Sequence, residues 1–125
     1  MSKLKVTTIA NVADSESTDV TNVINGSAKA WVNFNGTGTV AIRQSFNVSS
    51  ITDNGTGDYT VNFTTALADA NYSDVISISE VTSGVGCIRR ASASVGSPST
   101  SSRRFQCFNS TTYADQEFVT VAVFR

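Results

Sequence analysis

Histidine is absent from this chain, which removes the commonest general base and the commonest neutral metal ligand together. Lysine occurs three times, and charged residues make up 15% of the whole, well below the usual quarter. The surface must therefore be built largely from hydroxyls and amides. No stretch approaches the ~20 apolar residues of a transmembrane helix. No apolar run of secretory length follows Met1 to Lys5, so we expect a soluble protein made in a cytoplasm, without membrane insertion. Cys87 and Cys107 have neither a histidine nor another cysteine nearby, too few ligands for a structural zinc site. They read either as a disulfide between neighbouring strands or as two small buried hydrophobes kept reduced.

What the chain has instead is 18 Ser, 16 Thr and ten Asn in 125 residues, a composition suited to strands and reversals. That length fits one compact domain. Residues 30–64 read most clearly. Apolar residues fall at every second position there: Ala30, Val32 and Phe34, then Val40 and Ile42, Phe46 and Val48, and Tyr59, Val61 and Phe63. A period of two marks extended strands with one covered face. The two NGTG tetrapeptides, starting at Asn35 and Asn54, tolerate positive φ and make natural chain reversals. The expectation is a meander of three or four antiparallel strands.

Residues 3–11 alternate and suggest an extended arm. The acidic stretch 14–19 reads as a loop. Ser17 or Thr18 is placed to cap a short helix carrying Val20, Val23 and Ile24 and ended by Gly26. So short a helix does not stand alone, so its stripe must pack on the sheet or on another copy. Residues 66–70 suggest a loop or single turn, 72–81 a strand, Gly84 and Gly86 a turn, and 88–95 another strand. Residues 96–102, with the single proline at Pro98, read as an exposed loop. Residues 103–108 restore a strand and 111–116 turn again. Residues 118–124 (FVTVAVF) are apolar at nearly every position, which demands cover on both faces. They belong in a sheet centre or at a subunit contact.

Candidate chemistry is sparse. No partner is identifiable to activate a serine. The acid pairs Asp53 and Asp58, and Asp69 and Asp74, have the types needed for calcium or for acid–base work, but all lie in or beside turns that favour Asp for backbone reasons. Neither NGTG runs into a helix with the spacing of a phosphate-binding loop. Residues 1–80 carry four basic and eight acidic groups, and residues 81–125 five arginines against Asp115 and Glu117; this is too weak a basic patch for nucleic acid. Within Arg89-Arg90 and Arg103-Arg104, neighbouring strand residues face opposite ways, so one arginine of each pair must be accommodated inward or at an interface. They serve either to recognise an anionic group or to balance Asp and Glu.

Residues 28–72 (AKAWVNFNGTGTVAIRQSFNVSSITDNGTGDYTVNFTTALADANY) resemble a module that recurs in bacteriophage tail-fibre and related virion proteins, notably of marine and freshwater phages. The opening LKVTTIAN, residues 4–11, resembles the short segment that begins many of them. The acidic stretch 14–19 departs from the Gly-rich or basic segment common there, and residues 73–125 carry no such motif. The resemblance implies an all-β protein: an antiparallel β-sandwich (28–125) behind an N-terminal arm and short helix (1–27), assembled as a homotrimer. It implies a structural virion component, without cofactor or enzymatic activity, made in the host bacterial cytoplasm. In that picture Leu4, Val6 and Ile9 attach to other virion structural proteins. The loops 96–102 and 111–115 face a host surface glycan or protein, with Arg103, Arg104 and Tyr113 as candidate contacts. A capsid decoration protein that stabilises the virion without host contact is the alternative. A glycan depolymerase would need a carboxylate pair in a cleft.

Overall fold

Two four-stranded antiparallel sheets are built from the described part of residues 28–125. The computed structural model describes residues 2–11, 13–79, 87–90 (backbone only), 96–109 and 112–125. The strands follow in order as β1 (Thr8–Ala10), β2 (Ser17–Asp19), then, after helix α1 (Val20–Gly26), β3 (Ala28–Asn35), β4 (Ala41–Phe46), β5 (Val48–Gly55), β6 (Asp58–Phe63), β7 (Ser73–Ile78), β8 (Cys87–Arg90), β9 (Ser102–Phe108) and β10 (Val119–Phe124). One sheet has the order β4-β3-β10-β7 and the other β5-β6-β9-β8, while β1 and β2 pair separately. The expected Gly84–Gly86 turn and the strand residues 91–95 lie outside the described residues.

In β3 and β6 the alternation read from residues 30–64 does place a core between the sheets, but in β4 Ile42 and Phe46 remain 37% and 54% exposed. Ala30, Val32 and Phe34 of β3 and Val119, Val121 and Val123 of β10 face Tyr59, Val61 and Phe63 of β6 and Phe105 and Cys107 of β9, all buried. Phe34 meets Tyr59 edge-on at 5.2 Å between ring centroids, a favoured aromatic geometry. The fold is an all-β sandwich.

The meander is a correction. β3 pairs with β4 and β5 with β6, but β4 and β5 belong to different sheets. The chain crosses at Asn47, whose φ of 54° is a left-handed conformation that Asn tolerates. Its side-chain amide donates to Lys29 O at 3.0 Å and Thr65 O at 3.1 Å, and its oxygen accepts from Thr65 N at 2.8 Å. One side chain thereby ties the crossover to the start of β3 and the end of β6. Residues 118–124 take the sheet-centre position, β10 lying between β3 and β7.

The N-terminal segment also differs from expectation. The stretch 14–19 is not wholly loop: β2 runs through Asp19 and pairs with β1, Ile9 opposite Thr18. Asn11 supports the reversal, its Oδ1 accepting from Ser15 N at 3.1 Å. Because the strand runs through Asp19, that residue, and not Ser17 or Thr18, stands at the N-cap, and without a side-chain capping bond. At the other end Gly26 is still helical and Ser27 caps in extended conformation. Lys29 Nζ donates to Ser27 O at 2.9 Å and also to Ile24 O, a cation where the helix dipole favours one. No residue of α1 is buried. Its stripe does not pack on the sheet: Val23 and Ile24 remain 40% and 56% exposed.

Candidate functional site

The two outer faces of the sandwich differ in kind, because the same alternation that fills the core chooses what faces away. Outside the first sheet, register aligns Phe46 with Trp31, Trp31 with Ala122, and Ala122 with Val75. This makes an apolar row across all four strands, with Trp31 37%, Phe46 54% and Val75 61% exposed. The adjacent row, Gln44, Asn33, Thr120 and Ser77, is polar throughout. Arg43 lies 4.2 Å over the Phe118 ring and donates to Glu117 O at 2.8 Å.

Outside the second sheet the described residues are mostly hydroxyls and amides, with the Asp58–Arg104 ion pair among them. Asn62 donates to Ser50 Oγ at 3.0 Å and to Thr52 Oγ1 at 2.9 Å, and Asn54 donates to Thr60 Oγ1 at 2.9 Å. At the β5–β6 hairpin end this face opens into a groove of about 430 Å³, walled by Asn54, Thr56, Thr112 and Tyr113 over Asp58 and Gln106. That volume is in the range of small-molecule sites.

The hairpin and the 112–116 segment are locked together. Gly57 N and the Tyr59 hydroxyl both donate to Asp115 Oδ1, at 2.7 and 2.8 Å, and Tyr59 also points at Gly36 O, 2.8 Å away. Cys107 N donates to Gly57 O at 2.7 Å, and Ala114 N to Cys107 O at 3.1 Å. Burial, and then the Asp115 carboxylate, push the Tyr59 phenol far above its ordinary range, so it stays a donor. Both NGTG tetrapeptides converge here, for Gly36 N donates to Gln116 O at 2.8 Å.

Asp58 organises the groove. Arg104 grips it with two bonds, Nε to Oδ1 at 2.8 Å and Nη2 to Oδ2 at 2.9 Å, and Gln106 Nε2 donates to Oδ2 at 2.8 Å. The Tyr113 hydroxyl donates to Gln106 Oε1 at 3.3 Å, and its ring sits 4.2 Å from that of Phe108. Partial burial would raise the Asp58 pKa, but the bonds from Arg104 and Gln106 and the Arg104 charge outweigh it and hold the carboxyl below its ordinary value. A depressed folded-state pKa stabilises the fold above the unfolded value, about 4. That stabilisation is lost as pH falls through the lower folded value. Asp58→Asn is therefore expected to be less stable than wild type at pH 7, with the gap narrowing below about pH 4; urea unfolding across pH 2 to 7 measures it.

Of the sequence candidates, Tyr113 lines the groove and Arg104 stands behind it through Asp58. Arg103 does not belong: it is 0% exposed and pairs with Asp74 at 3.0 Å inside the sandwich, so it is corrected from host contact to core. The alternation carrying Phe105 and Cys107 inward carries Arg103 with them, a signal the sequence held. The loop 96–102 is more closely held than an exposed loop: Leu67 N donates to Thr100 O and Phe63 N to Ser101 O, both at 2.8 Å, and Ser99 Oγ accepts from Ser102 N at 2.9 Å. Leu4, Val6 and Ile9 stand on the surface at 89%, 46% and 49% exposure. Of the acid pairs, Asp53 caps a turn by accepting from Gly55 N at 2.9 Å, and Asp69 pairs with Arg125.

The β8–β9 register sets Cys107 opposite Ile88 and Cys87 opposite Phe108; the Cys87 side chain lies outside the described residues. Missed from sequence were two neutral amides, Asn54, which the β5–β6 hairpin brings beside Asp58, and Gln106, which the β6–β9 pairing brings there. Among the described residues no group of three His, Cys, Asp or Glu is placed to hold a metal, and no helix is long and apolar enough to cross a membrane. No family model, curated protein or solved structure matches the chain.

Proposed function

We propose that the protein is a structural component of a bacteriophage virion, a short tail fibre or receptor-binding module that assembles with copies of itself and is not an enzyme. One observation carries the reading: the chain leaves apolar surface uncovered both on its N-terminal segment and on the outer face of its first sheet. Leu4, Val6 and Ile9, Val23 and Ile24 of α1, and the row Phe46–Trp31–Val75 are all open to solvent, whereas the groove is lined mainly by polar side chains. Uncovered apolar patches mark association surfaces, and a polar face is what an outward-looking module presents. The quoted resemblance of residues 28–72 to phage fibre modules supplies the identity of the assembly.

Light scattering after size exclusion is expected to give three chains per particle, and the pair Val23→Asp with Ile24→Asp a monomer with unchanged far-ultraviolet β signature. A wild-type monomer at micromolar concentration overturns the reading. The same uncovered apolar surface also favours a capsid decoration protein. Labelled antibody on intact particles, at tail or at head, separates the two.

A further inference from the structure

We propose that the groove at the β5–β6 hairpin binds a neutral saccharide, one pyranose ring lying against Tyr113 with its hydroxyls on the Gln106 and Asn54 amides. The inference deepens the reading of this module as a surface-contacting protein, and rests on it.

Charge makes the first selection. Asp58 is the one charged side chain among the described lining residues, and the Arg104 guanidinium is bound to it bidentately. An anionic ligand would meet a carboxylate whose cation is engaged, and a cationic ligand would meet a carboxylate already paired. Neither ion improves its position by leaving water. Arg103 is inside the sandwich, and the side chains of Arg89 and Arg90 lie outside the described residues.

What the groove offers is mixed donor and acceptor capacity at short range. Gln106 has a second amide hydrogen beyond the one given to Asp58. Asn54 Oδ1, the Tyr113 oxygen and the Thr56 hydroxyl add acceptors and a donor. Sugar hydroxyls donate and accept at once, and match that mixture. The Tyr113 ring, 44% exposed, supplies an apolar plate for the C–H face of a pyranose, the other need of such a ligand.

The groove is also formed in advance. Phe108 backs the Tyr113 ring, Gln106 holds its hydroxyl, and Asn109 Oδ1 fixes the adjacent turn through Thr112 N at 3.1 Å and Thr112 Oγ1 at 3.0 Å. A ligand then loses little to ordering the site.

The test is an immobilised array of neutral and acidic oligosaccharides, followed by saturation-transfer NMR of the full chain with maltotriose, cellotriose, a galactose-terminated trisaccharide and trigalacturonate. Binding is expected for at least one neutral trisaccharide and not for trigalacturonate. Tyr113→Ala should weaken it by about tenfold or more, Tyr113→Phe by only a few-fold, and Asn54→Ala by several-fold. Both Tyr113 and Asn54 are on the surface, and thermal unfolding checks that each variant folds. Binding of the acidic sugar alone, no saccharide binding, or affinity unchanged in Tyr113→Ala overturns the proposal. A trimer that binds no saccharide sinks this site and leaves the assembly standing; a monomer that binds one does the reverse.

Discussion

Arg103→Ala is expected to cost about 3–5 kcal/mol in urea unfolding, more than any surface substitution in the chain. The guanidinium is wholly buried. Its Nε donates to Asp74 Oδ2 at 3.1 Å, Nη2 lies 3.0 Å from the same oxygen, and Nη1 reaches the Arg104 carbonyl. Truncation takes the Arg103 cation away from the Asp74 carboxylate, its side chain 4% exposed, in a medium where charge is costly. It also leaves a cavity the length of an arginine. The pair is a different matter from either partner. Replacing both, Arg103→Met with Asp74→Leu, removes two charges whose desolvation offset much of their attraction, and should restore most of the loss. A single substitution within 1 kcal/mol of wild type would show that water reaches Asp74 and that the pair is not internal.

Gly57→Ala should cost about 4 kcal/mol or more and abolish the groove. Gly57 has a φ of +65°, and a Cβ there would lie 2.6 Å from Cys107 O and 2.7 Å from Ala114 N. Those backbone atoms are bonded to each other, so neither can retreat without parting the hairpin from residues 112–116. The control is Gly38→Ala, where φ is +60° and nothing lies within 4 Å of the added atom. It carries the left-handed strain alone, about 1–2 kcal/mol. The difference between the two variants measures close approach. Equal losses would mean that only backbone conformation matters at Gly57.

These two sites show where the sequence speaks and where it falls silent. The period-two pattern in residues 30–64 is a local property, set by which face of each strand meets the core, and so it reveals strands; the nearly continuous apolar run 118–124 is equally local and marks the sheet-centre place of β10. Sheet membership is not local. Nothing around Phe46, Asn47 and Val48 says that the chain leaves one sheet for the other, since the turn relies on an Asn at φ 54° and on partners 18 residues away in either direction. The groove was half legible. Tyr113 and Arg104 have the residue types of a recognition site, but the Asp58–Gln106 pairing that joins them spans 48 residues and depends on strand order. The β2 strand was hidden for another reason: Ser17, Thr18 and Asp19 are all polar and exposed, so no apolar alternation records it.

The place of β10 also governs when the sandwich can form. Residues 119–124 fill the middle of the first sheet, hydrogen-bonded to residues 28–34 on one side and 73–78 on the other. Until they arrive, β7 lacks its neighbour and the inner wall facing Tyr59 and Phe105 is missing its central slat. Closing loops of that span must precede the reward of pairing, which makes acquisition of structure slow. On a ribosome the β3–β4 and β5–β6 hairpins would wait, docked on nothing permanent, with Phe34 and Val61 bare. Such a chain is exposed to aggregation during synthesis, until its last strand closes the first sheet.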